Sequence, residues 1–265
     1  GVQFPCPIAG DRGIIPVMHI LVTNDDGVHA PGLAALVDAM KPLGRVTILA
    51  PDHNWSGGGH VKTLHRPLRV LETTLADGTP ALASDGAPSD CVALALLGRV
   101  AEKIDLVVSG INTYGNLGHD VTYSGTVTAA MEAVIAGVPG FAFSLAADDM
   151  TRERDYATAA AYAQRIVAAA IAQGLTRDLL LNVNVPAVPA AGIHGIRVTR
   201  LGLRVYRDRL DARRDPRGVP YYWIGGDYPT GVPDPGTDFE ALRDGYVSVT
   251  PLQLDLTCHS TVERL

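Results

Sequence analysis

Cysteine is scarce in this chain of 265 residues, which has only Cys6, Cys91 and Cys258. A small, odd number of thiols provides no disulfide framework, so a reducing cytoplasm is the expected compartment. Long apolar runs are also missing, because none reaches the roughly 18 residues that a membrane-spanning helix needs. Residues 1–17 lack the continuous apolar segment of a signal peptide and are expected to form an irregular leader. No membrane partner is predicted.

An excess of basic residues is absent as well. The formal net charge of -6 at pH 7 argues against nucleic acid as a specific partner, because proteins that bind its backbone usually carry a basic excess. The sequence has no Walker-type Gly-Lys-Ser/Thr, no Gly-x-Gly-x-x-Gly after its first predicted strand and no Gly-x-Ser-x-Gly elbow. These absences disfavour nucleoside triphosphate hydrolysis, dinucleotide binding and covalent acyl chemistry.

Apolar β-prone runs alternate with segments of helical periodicity over the first two thirds of the chain. The predicted strands cover 20–23, 46–50, 104–109, 141–144 and 179–185, with a short antiparallel excursion at 68–71 and 81–83. Helices are predicted from Pro31, from about Pro88, over 124–136 and over roughly 152–173. This succession predicts an α/β fold with a doubly wound, mostly parallel sheet covered by helices on both faces.

The pattern changes after Pro186. Short alternating runs at 195–201, 219–224 and 246–249 are separated by loops rich in glycine, proline and arginine. They predict extended hairpins that project from the α/β core, and hairpins that cannot bury both faces alone generally need a partner surface. The alternative is a self-contained β subdomain that folds back on the sheet.

Two adjacent carboxylates, Asp25 and Asp26, follow the first predicted strand directly. The carboxyl ends of strands face the ligand crevice in open α/β sheets, so this pair is placed for chemistry. Two adjacent carboxylates repel each other, and a bound divalent cation is a common way to keep both ionised. The alternative is an ordinary turn with a helix cap.

The next two strand ends also carry oxygen-bearing side chains with glycine. The loop after 46–50 offers Asn54 and Ser56, and the loop after 104–109 offers Asn112 and Asn116. Carboxylate, amide and hydroxyl oxygens suit magnesium, manganese or calcium rather than a zinc site of Cys and His. The coincidence of three such loops at one sheet edge predicts a metal centre there.

A further turn, Ser124-Gly125-Thr126, stands at a predicted helix start, where free backbone N–H groups and hydroxyls can bind an anion. A metal beside an anion site suggests phosphate, although Ser124 could instead serve only as an N-cap. His119 lies between the asparagine loop and this turn and is a candidate general acid for a leaving alkoxide. A loop histidine can equally be solvated, and this alternative stays open.

Six blocks in order along the chain carry a resemblance to a known family. They are ILVTNDDG, APDHNWSG, VVSGIN, NLGHDVTYSGTVTAA, LNVNVP and GYVSVTPLQLDLT, and they span residues 20–257. The chain resembles the SurE family of stationary-phase survival proteins, which are metal-dependent nucleotidases. The resemblance implies a Rossmann-like three-layer core over 18–186 that carries the active site. It also implies that 187–265 forms a β-hairpin extension and C-terminal segment used in homodimer and often tetramer contacts.

The resemblance implies an activity and assigns roles by motif. Nucleoside 5'- and 3'-monophosphates would be hydrolysed to nucleoside and phosphate with one divalent ion, Mg²⁺ or Mn²⁺, and Ca²⁺ could occupy the site in a crystal. Asp25, Asp26, Ser56 and Asn112 match the metal ligands, and the Asp pair is also assigned as catalytic. The phosphate-side residues are matched by Asn116, Ser124, Gly125 and Thr126.

Two departures from the family pattern bear on substrate preference. The family often has a small hydroxyl residue shortly after the Ser-Gly of the second loop, where this chain has Gly58-Gly59-His60. It also commonly reads Asn-x-Gly-x-Asn in the third loop, whereas here Tyr114 precedes Gly115. Two other functions remain as alternatives at this point: a non-catalytic nucleotide sensor, and a transferase that uses a sugar-nucleotide in the same crevice.

Overall fold

A nine-stranded sheet forms the centre of the protein, in the strand order β3-β4-β2-β1-β5-β6-β7-β11-β8. The structure is a computed structural model that describes residues 18–147, 155–262 and 264. The leader expected at 1–17 and the first residues of the helix expected from 152 lie outside the described residues.

The elements alternate as the periodicity predicts. The strands are β1 Met18–Thr23, β2 Gly44–Pro51, β3 Val70–Thr74, β4 Pro80–Ser84, β5 Leu106–Asn112, β6 Gly140–Ala146, β7 Leu180–Pro186, β8 Gly195–Val198, β9 Leu203–Arg214, β10 Pro220–Val232 and β11 Tyr246–Leu252. The helices are α1 Pro31–Met40, α2 Pro88–Leu94, α3 Gly125–Ile135, α4 Ala157–Gln173, α5 Asp238–Arg243 and α6 His259–Val262. Short 3₁₀ helices occur at Lys41–Leu43, Gly118–Thr122 and Ala190–Gly192, and a π-helical segment, Ala95–Arg99, extends α2.

Each central strand is apolar on both faces, because helices cover both sides of the sheet. Ile20 and Val22 of β1 belong to the core cluster that includes residues of α1 and α4. Leu21 between them belongs to a second cluster with residues of α2 and α3. The continuous burial of Ile20 through Val22 therefore follows from the period-two alternation of a strand between two helix layers.

The strand order places the ligand crevice at β1 and β5. β1 pairs in parallel with both β2 and β5, and the chain leaves β1 toward β2 but leaves β5 toward β6. The connections that follow β1 and β5 thus diverge to opposite sides, and they open the sheet edge between them. This is the topological switch point at which doubly wound sheets bind ligands.

The C-terminal part contributes to this sheet more than the sequence pattern indicates. β11 lies between β7, to which it is antiparallel, and β8, to which it is parallel. The projecting hairpin is limited to β9 and β10, which form a separate two-stranded antiparallel ribbon. We refer to residues 203–232 as the ribbon. Short edge strands such as β8 have little local pattern, so their pairing with distant strands is decided by the tertiary fold.

The predicted fold class is confirmed: the structure is α/β, with a mostly parallel sheet between two helix layers and an added antiparallel hairpin. The predicted antiparallel excursion is also present, because β3 and β4 pair antiparallel at one edge. Among the described residues, we find no helix with both the length and the hydropathy needed to cross a bilayer.

Gly32 is expected to be required where α1 meets β5. A Cβ at this position would lie 2.1 Å from the carbonyl oxygen of Ile111. Alanine is otherwise the better helix former by about 1 kcal/mol, yet Gly32→Ala should lower the free energy of unfolding by about 1–3 kcal/mol because the backbones must separate. Urea denaturation measures the difference.

The matched control is Gly225→Ala on β10, where a Cβ would meet no atom within 4 Å. This control should leave stability within about 0.5 kcal/mol of the original protein. Equal stability of Gly32→Ala and the original protein would contradict the close approach of α1 and β5.

Candidate functional site

The Asp25 carboxylate lies at the start of α3. It follows β1, is 3 % exposed, and accepts a short hydrogen bond from the Thr126 hydroxyl. Burial raises the pKa of Asp25 above its ordinary value, while hydrogen bonds from the Thr126 hydroxyl and from the backbone of Thr126 and Gly125 oppose that shift. The helix N-terminus provides the partial positive charge that a buried carboxylate needs.

Glycine at position 125 allows the Asp25 carboxylate to lie this close to the start of α3. A Cβ there would lie 2.7 Å from the Asp25 Cβ, 3.0 Å from the Asp25 Oδ2 and 3.1 Å from the Pro88 Cγ. Any larger residue must therefore displace the carboxylate or separate the two helix starts. The glycine of the predicted anion-binding turn thus has a second role, which is to admit Asp25.

Asp26 lies on the other side of the strand end. Its carboxylate accepts a hydrogen bond from Asn54 Nδ2 at 3.3 Å, and the backbone of Thr113 also stabilises the charge. Burial, and then repulsion by Asp25, raise the pKa of Asp26 to about 6. Asp26 also borders a cleft of about 420 Å³ whose wall includes His29 and Tyr156.

The second loop is held against the Asp pair. The Trp55 N–H donates to the carbonyl oxygen of Asp25 at 2.7 Å, and the Ser56 N–H donates to Asn54 Oδ1 at 2.7 Å. Because Asn54 also contacts Asp26, one amide side chain connects Ser56 to the carboxylate pair. Ser56 itself is exposed at the surface of the site.

The third loop is fixed by buried amides. Asn112, at the end of β5, donates from Nδ2 to the Tyr114 carbonyl oxygen at 2.7 Å. Asn116 is buried and donates from Nδ2 to Ser144 Oγ at 2.8 Å. The carbonyl oxygen of Asn116 accepts from Asn182 Nδ2 at 2.8 Å and from Asn184 Nδ2 at 3.1 Å. The loop is therefore pinned to β6 and β7.

Sequence reasoning did not assign a role to Asn182 and Asn184. Both are fully buried in β7, and Asn184 Oδ1 also accepts from the Asn116 N–H at 2.8 Å. The sequence signal that could have identified them is an amide side chain at alternate positions of a strand whose intervening residues are Leu and Val. Buried amides in a central strand require partners, and here the partner is the backbone of a site loop.

Ser124 serves as the N-cap of α3, because its Oγ accepts from the Val127 N–H at 3.2 Å. The alternative to an anion site is thus present in the structure. The phosphate role of Ser124, Gly125 and Thr126 stays a prediction, and Asp25 already uses part of this helix terminus. His119 lies on the 3₁₀ helix Gly118–Thr122 with an exposed ring, so its role as general acid also stays a prediction.

One of the two family departures has a structural role. His60 Nε2 is 3.0 Å from Glu132 Oε2, and Lys62 Nζ is 2.9 Å from Glu132 Oε1. Gly59, just before them, donates its N–H to the Tyr123 carbonyl oxygen at 3.0 Å. The buried carboxylate of Glu132 thus connects the end of the Ser56 loop to α3.

The donor set fits a hard divalent cation. In the part of the chain that the structure describes, no three His, Cys, Asp or Glu side chains are grouped to hold a metal. The candidate centre instead combines two carboxylates with hydroxyl and amide oxygens, which suits Mg²⁺ or Mn²⁺. The hydrogen bonds to Asp25 and Asp26 come from hydroxyl and amide donors, so a cation would relieve their mutual repulsion.

A doubly wound α/β sheet with acid, amide and hydroxyl oxygens at its switch point defines a class: the Rossmann-like proteins with an oxygen-lined crevice. Comparisons with known proteins then place the chain within this class. The family model described as "Survival protein SurE" matches residues 20–208. The chain belongs to the SurE family, which confirms the family predicted from the sequence motifs.

Relatives match over nearly their full length. The 5'-nucleotidase SurE of Herpetosiphon aurantiacus is 55 % identical over 248 residues, which cover 94 % of this chain and 97 % of the relative. That of Chloroflexus aggregans is 52 % identical over 94 % of this chain and 98 % of its own. The crystal structure of the SurE protein from Aquifex aeolicus superposes with a TM-score of 0.77 at 41 % identity, covering 93 % of this chain and 98 % of that one.

Gly125→Ala should weaken metal binding without unfolding the protein. The added methyl group displaces the Asp25 carboxylate from the α3 terminus, and loss of such orienting contacts typically weakens metal binding about 10–100-fold. Calorimetric titration with Mn²⁺ measures the affinity, and circular dichroism checks the fold. Gly225→Ala is the control and should bind Mn²⁺ normally. Unchanged Mn²⁺ affinity in Gly125→Ala would argue against Asp25 as a ligand.

The raised pKa of Asp26 predicts a pH-dependent stability of the metal-free protein. A folded-state pKa of about 6, above the ordinary 3.8, gives a contribution that is complete below about pH 4 and lost as pH rises through 6. In EDTA, Asp26→Asn should therefore have the higher Tm at pH 7 and lose this advantage near pH 4. Thermal denaturation from pH 4 to 8 measures the difference, and a constant difference would contradict the shift.

Proposed function

We propose that this chain is a metal-dependent phosphomonoesterase that hydrolyses nucleoside 5'- and 3'-monophosphates to nucleoside and phosphate. The observation that carries the proposal is the convergence of three strand-end loops on Asp25 and Asp26, through the contacts of Trp55, Thr126 and Thr113. Membership of the SurE family and the shared name 5'-nucleotidase of the relatives support a nucleotidase. They agree with the enzyme class predicted from the sequence.

The metal ligands in this proposal are Asp25, Asp26, Ser56 and Asn112, with Mg²⁺ or Mn²⁺ as the ion. A bound divalent ion supplies Lewis-acid stabilisation of phosphoryl oxygens and makes a bound water more acidic. The chain contributes rigidity: Thr126 holds the Asp25 carboxylate in one orientation, and Asn54 connects Asp26 to the Ser56 loop. Such pre-organisation avoids reorganisation during the reaction.

The phosphate is proposed to bind beside this centre, toward Asn116 and the turn of Ser124, Gly125 and Thr126. The start of α3 favours an anion because its first N–H groups have no partner within the helix. Asn116 is held by Ser144 through one hydrogen of its amide, and the proposal assigns the second hydrogen to a phosphoryl oxygen. These donors would stabilise charge on the equatorial oxygens of the phosphoryl group.

The two proton transfers of the reaction, one from the attacking water and one to the leaving group, are assigned to two different residues. The Asp25 carboxylate is occupied by Thr126, whereas Asp26 borders the open cleft, so we assign Asp26 to orient the attacking water and accept its proton. His119 is exposed on the 3₁₀ helix that precedes the turn of Ser124, Gly125 and Thr126, and the proposal assigns it as the general acid.

The ribbon supports a homodimer or tetramer as the working assembly. A two-stranded ribbon is marginal alone, and this one exposes large apolar side chains, among them Leu210, Trp223 and Ile224. We assign the active site to residues 18–186 and oligomer contacts to 187–265, two of whose strands also complete the sheet. The reducing cytoplasm remains the proposed compartment.

The alternative functions are not favoured. A non-catalytic nucleotide sensor and a sugar-nucleotide transferase would both use the same crevice, but the curated relatives share a nucleotidase name. A sensor would bind monophosphates without releasing phosphate. A transferase would leave simple monophosphates intact until a second substrate is added.

Asp25→Asn should abolish hydrolysis. The amide keeps the size of the carboxylate but removes the charge that faces the cation, so turnover should fall by about 100-fold or more. Release of inorganic phosphate from a panel of 5'- and 3'-monophosphates, with Mg²⁺, Mn²⁺ or EDTA, measures the effect. Asp208→Asn, an exposed change on the ribbon, is the charge-matched control.

The original protein should be active with at least one metal and inactive in EDTA. An Asp25→Asn protein with full metal-dependent turnover would overturn the site assignment. Binding of monophosphates by the original protein without phosphate release would favour the sensor, and dependence on a second substrate would favour the transferase.

A further inference from the structure

Asp120 lies at the centre of the 3₁₀ helix Gly118–Thr122, between the proposed phosphate ligands Asn116 and Ser124. Its carbonyl oxygen accepts from the N–H groups of Tyr123 at 2.9 Å and Ser124 at 3.0 Å. The position of Asp120 therefore determines where the backbone enters α3.

The Asp120 side chain is held by two residues of the ribbon. Tyr206 Oη donates to Asp120 Oδ1 at 2.5 Å, and Arg204 Nε lies 2.9 Å from Asp120 Oδ2. The Arg204 side chain is 9 % exposed and that of Asp120 18 % exposed. Ion pairs withdrawn from water in this way are costly to break, because each charge would remain without its partner.

Two further observations support the same arrangement. The guanidinium of Arg204 lies 5.7 Å from the centre of the Phe239 ring, so the ring of this α5 residue packs against it. Burial and the hydrogen bond to Asp120 raise the pKa of Tyr206 above its ordinary value, so the phenol stays a donor. The Arg204 and Asp120 side chains are therefore largely withdrawn from water, whereas Tyr206, which is 39 % exposed, lies at the solvent side of the cluster.

A second carboxylate, that of Asp238 in α5, fixes the beginning of the 3₁₀ helix to Gly202, the residue directly before the ribbon. Asp238 Oδ2 accepts from the Gly118 N–H at 2.8 Å, and Asp238 Oδ1 accepts from the Gly202 N–H at 2.8 Å. Gly118 has a φ of +53°, and a Cβ there would lie 2.5 Å from the Gly202 carbonyl oxygen. The residues around the base of the ribbon thus contact the segment that leads to α3 at two positions, Gly118 and Asp120.

We propose that Asp120 is a positioning residue for the phosphate site, and that Tyr206 and Arg204 of the ribbon act on phosphate binding through it. This inference rests on the proposed function, because it concerns the phosphate of the same reaction. Release of Asp120 lets the 118–124 backbone relax, which moves the Ser124 N-cap and the start of α3. Trp55 holds only the carbonyl oxygen of Asp25, whereas the Asp25 carboxylate contacts Thr126 at the same helix start. Phosphate binding, which uses the displaced backbone directly, should be affected more than metal binding.

Tyr206→Phe tests this inference with the least structural change. Removal of one hydroxyl hydrogen bond to a carboxylate should weaken inorganic phosphate binding about 5–20-fold. Calorimetric titration of the full-length protein with inorganic phosphate, in saturating Mg²⁺, measures the affinity. KM for the best monophosphate should rise by a similar factor, with a smaller change in kcat, and the half-saturating Mg²⁺ concentration should rise by a smaller factor than KM.

Tyr222→Phe is the matched control, because it removes the same hydroxyl from an exposed position of the same ribbon. It should bind phosphate normally. Hydrogen–deuterium exchange of the peptide covering 115–124 gives a readout that does not depend on activity. Exchange there should be faster in Tyr206→Phe than in the original protein and unchanged in Tyr222→Phe.

A double-mutant cycle distinguishes action through Asp120 from a general effect on the fold. In an Asp120→Ala background, which has no side-chain acceptor for the Tyr206 hydroxyl, Tyr206→Phe should cause little further loss of phosphate affinity. Full additivity, or phosphate affinity of Tyr206→Phe equal to that of the original protein, would overturn the inference. Failure of the original protein to release phosphate from every monophosphate would instead contradict the proposed function, so the two outcomes are distinguishable.

Discussion

The contact between the Asp25 carboxylate and the start of α3 is the interaction on which the site depends. A carboxylate this buried would favour its neutral form, and burial does raise its pKa, but the Thr126 hydroxyl and the helix terminus stabilise the charge. The contact requires glycine at position 125, and the Asp25 carbonyl oxygen holds the Trp55 N–H. One residue thus joins the ends of β1 and β2 to the helix after β5, which brings three loops together.

Much of this arrangement can be predicted from local sequence, and the limit of prediction has a physical cause. The parallel strands, their helices and the polar residues at strand ends follow from periodicity and from where the apolar runs stop. The insertion of β11 between β7 and β8 does not, because the register of Val249 opposite Val183 is decided by distant partners. The same holds for Asn184 and for Arg204, whose contacts with the site loops are more than 65 residues apart in sequence. No local pattern specifies such pairs.

The two predictions for the turn at Ser124, a helix N-cap and an anion site, are compatible with each other. Ser124 is an N-cap, as its Oγ contact with Val127 shows, and Thr126 is bound to Asp25. An N-cap leaves other N–H groups at the helix start without intrahelical partners. A carboxylate beside them lowers the affinity for a second anion by repulsion, unless a cation lies between the two charges. For the proposed phosphate site, the same contact that orients Asp25 would therefore make anion binding at α3 dependent on a metal.

The proposed dependence of anion binding on a metal also connects the ribbon to the chemistry of the site. In the proposed function, phosphate affinity at α3 would depend both on the neutralisation of Asp25 and Asp26 and on the position of the Ser124 backbone, whose N–H donates to the Asp120 carbonyl oxygen. Arg204 and Tyr206 compensate the Asp120 charge from a strand that also exposes Leu210 and other apolar groups. An assembly that covers those apolar groups would restrict the ribbon, and the restriction would reach Ser124 through two hydrogen-bonded contacts. The proposed oligomer contacts and the proposed phosphate site are therefore connected by a short path of described contacts within one chain.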